Sequence, residues 1–306
     1  MRTIAHISDL HFGRLDEPVA EALVDELHAA NPSLVICSGD FTQRARVGQF
    51  EAAAEYMKRL PRPQLVVPGN HDIPLWDLLF LRRIVSPLGR YRRYIAKDVR
   101  PVYRDDELLV IGINTARQFT WSWKGFWKDG GISEEQLVDV RVAAKDAPDD
   151  QFKIVVTHHP FIPPPGDERK GIVHRSRQAL ATMERAGVDL LLAGHLHRGY
   201  SADVRGHHEA VKRAIISVQA GTATSTRRRD EPNAYNRIKV DKDYLSIDVR
   251  AWNGSAFITS AVREFRKLAG AWTLQDAAEV AVPPVPANKD GDTGSQPKDA
   301  VVTEAQ

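Results

Sequence analysis

"LVVPGNHDIP", residues 65–74, is the stretch on which the reading of this chain turns. Leu65, Val66 and Val67 form a short apolar run of the kind that makes a buried strand. Pro68 and Gly69 end the run. Asn70, His71 and Asp72 follow at once, so an amide, an imidazole and a carboxylate stand together at one strand end. One Asp or His in such a place is ordinarily a turn or cap residue. The motif gains weight only if other strand ends do the same.

Four others do. The apolar runs at 3–7, 34–37, 152–157 and 188–193 end in "SDLH", "SGD", "THHP" and "GHLH". These supply Asp9 and His11, Asp40, His158 and His159, and His195 and His197. Between the strands lie helical patterns. Val19, Leu23 and Leu27 recur at helical spacing over 17–30, and Phe50, Ala54 and Met57 over 47–60. Residues 75–95 read as a basic helix, 102–104 and 108–113 as strands, and 176–186 as a helix. In "GGISEEQLVDV", Ser133 and Gln136 have capping-box spacing and open another helix. This alternation is the α/β signature.

After residue 199 the pattern changes. The runs 199–205, 212–218, 235–241, 244–252 and 255–266 alternate in polarity and are separated by turn signals such as "DKD" and "WNG". They predict a second, mostly antiparallel sheet packed on the first, with helices outside, in one layered domain over 1–282. Residues 283–306 are rich in proline, glycine and charge and predict a disordered tail.

Composition excludes several classes. The formal net charge of +2 is too slight to argue for nucleic acid or a membrane surface. The one cysteine, Cys37, rules out an internal disulfide framework and a thiolate metal cluster. No signal-peptide h-region opens the chain, and no run approaches the roughly 20 apolar residues of a membrane helix. The expectation is a soluble, cytoplasmic protein.

In a mostly parallel sheet, the carboxyl ends of neighbouring strands open onto one crevice. In extended chain, residues i and i+2 point the same way, which makes Asp9 with His11, and His195 with His197, two-pronged ligands. Imidazole nitrogen, carboxylate and amide oxygen suit Zn, Mn, Fe or Co rather than Ca or a soft copper site. Seven donors (Asp9, His11, Asp40, Asn70, His158, His195 and His197) exceed one tetrahedral ion and suffice for two if a carboxylate bridges. Such a pair is the standard clamp for in-line displacement at phosphorus. With two carboxylates and a hydroxide, it leaves a net positive site, which favours an anionic phosphate ester.

The motifs D-x-H, G-D, G-N-H-D, H-H-P and G-H-x-H, in this order, resemble the calcineurin-like metallophosphoesterase superfamily. The longer strings "ISDLHFG", "GDFTQRA", "VVPGNHDIP", "LLLAGHLHRG" and "AGTATSTRRRDEPNAYNRI" resemble its bacterial branch around the class III cyclic-nucleotide phosphodiesterases. The resemblance spans most of residues 1–250. It implies a four-layer α/β (α+β) fold, a two-sheet β-sandwich flanked by helices. It implies a dinuclear metal-dependent phosphodiesterase with two transition-metal ions (Mn, Fe or Zn). Asp9, His11 and His197 would hold one, Asn70, His158 and His195 the other, and Asp40 would bridge. A bridging hydroxide would attack phosphorus. His71 would face the phosphate and protonate the leaving alkoxide, Asp72 would orient and polarise His71, and Gly69 would allow the sharp turn that aims them.

The expected substrate is a small phosphodiester, cyclic nucleotide-like or a glycerophosphodiester. A lipid- or nucleotide-linked pyrophosphate is the alternative, and a nuclease or a non-catalytic scaffold ranks below both. No nucleic-acid module is recognisable. Peripheral lipid contact and oligomerisation stay open. His159, His174 and Arg228 are the candidate substrate contacts, although His159 reads more readily as a structural start to the Pro160 turn. Arg227, Arg228 and Arg229 could face the crevice together. His6 reads as a satisfied core histidine, His28 as a solvated helix residue, and His207 and His208 as a hairpin tip. The tryptophan-rich loop 119–131 reads as an aromatic lip or as local packing, 163–178 as a lid or as solvated charge, and the arginines over 82–93 as a basic face.

Overall fold

The computed structural model describes residues 1–74, 86–116, 130–163, 172–196, 200–203, 215–228 and 231–281. In chain order the first elements are β1 (Arg2–Ile7), α1 (Glu17–Ala30), β2 (Leu34–Cys37), α2 (Val47–Arg59) and β3 (Gln64–Val66). A single 3₁₀ turn, Asn70–Asp72, follows. Then come α3 (Gly89–Tyr94), β4 (Val102–Arg104), β5 (Leu108–Gly112), α4 (Glu134–Lys145), β6 (Phe152–Val156) and α5 (Ser176–Arg185). The chain continues through β7 (Leu190–Ala193), β8 (Tyr200–Asp203), β9 (Ile216–Gln219), β10 (Ala234–Asp241), β11 (Tyr244–Trp252), β12 (Phe257–Leu268) and β13 (Ala271–Glu279).

The strands form two sheets, β13-β12-β11-β10-β1-β2-β3 and β4-β5-β6-β7-β9-β8. Alternate residues of each central strand enter different layers, as a period of two requires. Ile4, Leu34, Ile36 and Leu65 of the first sheet meet Val110, Ile154, Val156, Leu190 and Leu192 of the second in one buried cluster. The intervening Ala5, Ile7, Val35 and Cys37 pack instead on Leu23 and Leu27 of α1 and Phe50 and Met57 of α2. Leu109, Ile111, Val155 and Leu191 likewise face α4 and α5 through Leu137, Val140, Leu180 and Met183. The architecture is therefore helix, sheet, sheet, helix. Burial on both faces explains why the central strands read as unbroken apolar runs. The Ser133–Gln136 capping box forms, with Gln136 N donating to Ser133 Oγ (3.2 Å) and Ser133 N to Gln136 Oε1 (2.8 Å).

The division into an early parallel and a late antiparallel sheet does not hold. β10 pairs antiparallel with β1, so the C-terminal strands extend the N-terminal sheet. β4–β9 form the other sheet, in which β5, β6, β7 and β9 are parallel. The crevice therefore lies between two sheets rather than along one. Of the expected 75–95 helix, only 89–94 is helical among the described residues, and Arg82 and Arg83 lie outside them. His197, most of the 119–131 loop, residues 164–171, His207, His208 and the 283–306 segment also lie outside the described residues.

β13 had no counterpart among the expected strands, yet it carries a main anchor between the sheets. Trp272 is 1% exposed and meets the Phe152 ring edge-on at 5.6 Å. Its Nε1 donates to Asp189 Oδ1 (3.0 Å), to which Lys267 Nζ also donates (2.7 Å). Asp189 Oδ2 accepts from Lys153 N (3.0 Å), which joins β12 and β13 to β6 across the sandwich. Removing Trp272 leaves both a cavity and a less satisfied buried carboxylate. Trp272→Ala is expected to cost about 3–5 kcal/mol, read as a lower denaturant midpoint with an unchanged slope.

Candidate metal centre

Asp9, His11, Asp40 and His195 all have left-handed backbones, with φ of 55°, 48°, 56° and 75°. Non-glycine residues rarely adopt this region, and such strain persists only where the surroundings impose it. Backbone hydrogen bonds from neighbouring turns impose it here. Asp9 N donates to Gly39 O (3.0 Å), His11 N to Asp40 O (2.9 Å) and Gly194 N to His158 O (3.0 Å). The expected extended Asp9-x-His11 geometry is therefore incorrect. The two residues converge because the chain beyond β1 curls against the β2 turn.

Gly69 differs from its expected role as well. Its φ is −103°, which any residue adopts. Its contribution is space, because a Cβ there would strike the backbone N and carboxylate of Asp40. Gly39 needs both qualities, with φ +102° and the Gly69 backbone against it.

Six candidate donors converge among the described residues. Asp40 Oδ1 accepts from His71 N (2.8 Å), while Oδ2 faces His158 Nε2 at 3.3 Å and His11 Nε2 at 3.7 Å. His11 Nε2 lies 3.5 Å from Asp9 Oδ1, and His195 N donates to Asp9 Oδ2 (3.1 Å). Asn70 Oδ1 stands 3.1 Å from His158 Nε2 and 3.0 Å from His195 Nδ1. Asp9, His11, Asp40 and His158 are fully buried.

The His158 ring tests whether a cation fits. Its Nδ1 lies 2.8 Å from the Ser38 carbonyl, which can only accept, so Nδ1 carries the proton. Nε2 is then aimed at two further acceptors, Asp40 Oδ2 and Asn70 Oδ1. Acceptor facing acceptor is unfavourable unless positive charge lies between them. A backbone carbonyl holding the second ring nitrogen is also how ligating histidines are commonly oriented. The nitrogen and oxygen donors fit divalent transition-metal cations. Electrostatics point the same way. Burial would raise the Asp40 carboxyl, but His158, His71 and His11 hold it well below the usual range. Burial would lower His158, yet the adjacent Asp40 charge pushes it up to about 9, so without a cation the positive charge between these acceptors is a proton on Nε2.

His71 is half-buried, with its ring edge-on to His11 at 4.9 Å. Its Nδ1 lies 2.8 Å from the Gln43 carbonyl and its Nε2 lies 2.7 Å from Arg227 Nη1. The carbonyl can only accept and the guanidinium can only donate, so Nδ1 bears the proton and Nε2 accepts. Burial lowers the His71 pKa to about 4, consistent with the neutral ring. In this state Nε2 has no proton to give, contrary to the expected protonation of a leaving alkoxide.

Asp72 does not orient His71 either. Its carboxylate accepts from Gly69 N (2.9 Å), Phe41 N (3.3 Å), Thr42 N (3.0 Å) and Thr42 Oγ1 (3.1 Å). It therefore clamps the β2 and β3 turns together. Burial, with Asp40 nearby, pushes Asp72 up to about 7. The group that orients the His71 ring is the Gln43 carbonyl. Gln43 lies inside the "GDFTQRA" string, but the use of its backbone carbonyl left no mark in the side-chain pattern.

His159 is buried, with Nδ1 2.9 Å from Thr115 Oγ1 and its ring 4.5 Å from that of His195. Gly130 packs directly on its ring. His174 stands apart, exposed, in a cavity of about 480 Å³ lined by residues that include Asn114, Ser133, Gln136 and Arg175. None of the lining residues is a candidate donor. Arg227 reaches His71, and Arg229 lies outside the described residues. Arg90 is tied to the Ala45 carbonyl (2.6 Å), while Arg92 and Arg93 are exposed.

His6 is the satisfied core histidine expected. Its Nε2 lies 2.9 Å from Ser38 Oγ and its Nδ1 3.4 Å from Asn236 Nδ2. It thus supports the residue whose carbonyl holds His158.

The geometry has recognisable counterparts. The calcineurin-like phosphoesterase profile matches residues 2–199, and the chain belongs to that family. It is a metal-dependent phosphoester hydrolase. Over 212 residues it is 29% identical to the glycerophosphodiester phosphodiesterase GpdQ of Enterobacter lignolyticus, covering 63% of this chain and 70% of that protein. Over 211 residues it is 24% identical to a probable cyclic nucleotide phosphodiesterase of Synechococcus sp., covering 65% and 74%. Among solved structures, the purple acid phosphatase PPD1 of yellow lupin shares the fold at a TM-score of 0.65 and 11% identity, over 84% of this chain and 52% of that one. A dimetal phosphatase from Danio rerio shares it at 0.55 and 13%, over 82% and 96%. No helix among the described residues is long and apolar enough to cross a membrane.

Two outcomes follow from the packing. Gly69→Ala is expected to cost about 1–3 kcal/mol, because the added methyl must displace Asp40. It should also lower bound metal per chain, measured by elemental analysis. Burial depresses His6 from 6.5 to about 3, so its neutral form is favoured by folding. The unfolded chain binds the extra proton between those values, and stability should fall as pH drops through that window. His6 can contribute up to about 1.4 kcal/mol per pH unit there. Stability curves of His6→Gln should show a shallower acid slope than the parent.

Proposed function

We propose that this chain hydrolyses small phosphodiesters at a two-cation centre held by Asp9, His11, Asp40, Asn70, His158, His195 and His197. The observation that carries the reading is the paired environment of Asp40. One carboxylate oxygen faces two imidazole nitrogens from different turns, and the other is fixed by the His71 amide. A carboxylate so placed suits a bridge between two cations. Bound there, a pair of divalent ions supplies Lewis acidity toward phosphoryl oxygens and a nucleophile at neutral pH, the chemistry of in-line displacement at phosphorus.

The chain's own residues do the rest. Asn70 directs its carbonyl oxygen between His158 and His195, Ser38 fixes the His158 ring, and Asp72 holds the Asn70–Asp72 turn against Asp40. Burial of Asp9, His11, Asp40, Asn70 and His158 excludes bulk water and strengthens the charge interactions among them. Nitrogen and oxygen donors favour Mn, Fe or Zn in the two positions. The diester preference is supported by the printed activities of the Enterobacter and Synechococcus relatives.

The test begins with elemental analysis of protein loaded with Mn, expected to give two ions per chain. Turnover of bis(nitrophenyl) phosphate, a glycerophosphodiester and a 3′,5′-cyclic nucleotide should exceed that of a nitrophenyl monoester. His71→Ala should keep both metals and lose roughly a hundredfold in kcat, because the ring that orders this edge of the site, edge-on to His11 and in contact with Arg227, is gone. A single bound ion, or a clear preference for the monoester, would contradict the proposal.

A further inference from the structure

The segment after β9 is built as a rigid strap over the metal-side loop. Ala223 N donates to Ser8 O (3.0 Å), Asp16 N to Thr224 O (2.8 Å) and Thr226 N to Arg14 O (2.8 Å). Thr224 Oγ1 donates to Leu10 O (3.2 Å) and Ser225 Oγ to Arg14 O (2.8 Å). From the other side, Asn233 Nδ2 holds Ser225 O (2.9 Å). Residues 223–226 are thereby fixed to the loop that carries Asp9 and His11. The strap ends at Arg227, whose backbone N is stapled to Ser225 Oγ (3.0 Å).

Arg227 is exposed and places Nη1 2.7 Å from His71 Nε2. This contact has a definite polarity. His71 is committed at Nδ1 to the Gln43 carbonyl, so its Nε2 is an acceptor and the guanidinium is the donor. An imidazole lone pair aligns a guanidinium without neutralising it. Four other N–H groups remain on the planar fork, which matches a phosphoryl group in shape and charge. Among the described residues no carboxylate forms a salt bridge with Arg227. The positive charge is therefore held beside the donor cluster, on its solvent side.

We infer that Arg227 binds a non-bridging oxygen of the substrate phosphoryl group, and that His71 acts as the acceptor that holds its guanidinium in position. The inference rests on the phosphodiesterase reading above and assigns the substrate-facing charge at this edge to the arginine. The ligand class is any ester with an anionic phosphoryl oxygen, and inorganic phosphate is the simplest probe.

The experiment uses the full chain loaded with Mn. Steady-state kinetics on bis(nitrophenyl) phosphate and competitive inhibition by inorganic phosphate are measured for the parent, Arg227→Ala, Arg227→Lys, His71→Ala and the double alanine variant, with metal content and thermal midpoint alongside. Losing a charge-assisted hydrogen bond should weaken phosphate inhibition roughly tenfold in Arg227→Ala and lower kcat/KM by about ten- to a hundredfold. Two ions and the parental midpoint should be retained. Arg227→Lys should recover part of the loss. If His71 positions the guanidinium, the Arg227→Ala effect shrinks in the His71→Ala background. Unchanged phosphate inhibition and kcat/KM in Arg227→Ala would overturn the inference, and strictly additive losses would overturn the positioning role of His71. A parent that binds no metal and cleaves no phosphate ester would overturn the phosphoesterase reading and this inference together, so the two failures are distinguishable.

Discussion

Asp40 sits where two strand-end turns press together, and the rest of the site depends on that contact. Its backbone is left-handed, its side chain is fully buried, and Gly69 lies against its carboxylate with no room for a Cβ. The left-handed conformation is paid for by the backbone bonds that bring the β1 and β2 turns into register. In exchange, one carboxylate oxygen is aimed at His11 and His158 and the other at the His71 amide. Loss of any one of these packing relations would move the carboxylate and with it the charge balance of the cluster.

The acidic and basic groups of this site cannot be understood one at a time. Asp40 stays ionised in a fully buried position because three imidazoles surround it. His158 is raised because that same carboxylate is close, while His71, further toward solvent, is lowered because burial dominates. The hydrogen-bond partners then decide direction. Carbonyls of Ser38 and Gln43 each fix a proton on Nδ1, so that Nε2 of His158 faces the donor cluster and the Nε2 lone pair of His71 faces Arg227.

Beneath this, a polar chain runs through an otherwise apolar layer between the sheets. Asn236 of β10 meets His6 of β1, His6 meets Ser38 Oγ, and the Ser38 carbonyl meets His158. Such a buried network is favourable only when its members are satisfied. It couples the orientation of a candidate ligand to the pairing of β10 with β1, so the C-terminal strands contribute to the site although none of them carries a candidate donor.

Local pattern alone determined a good deal. The short apolar runs and helical spacings located β1, β2, β3, β6 and β7 and the helices α1, α2, α4 and α5, because each is fixed by its own periodicity. The polar strand ends were equally legible, since metal-type donors after five apolar runs are rare as coincidence. Sheet membership was not legible. Pairing β10 with β1 joins residues more than two hundred positions apart, and alternation records which faces are buried but not which neighbour buries them. Nor could a side-chain pattern reveal that Asp72 clamps two turns, that Gly69 gives room rather than a bend, or that Arg227 meets His71. Those are matters of distance and of backbone carbonyls, which only the packed chain brings within reach of one another.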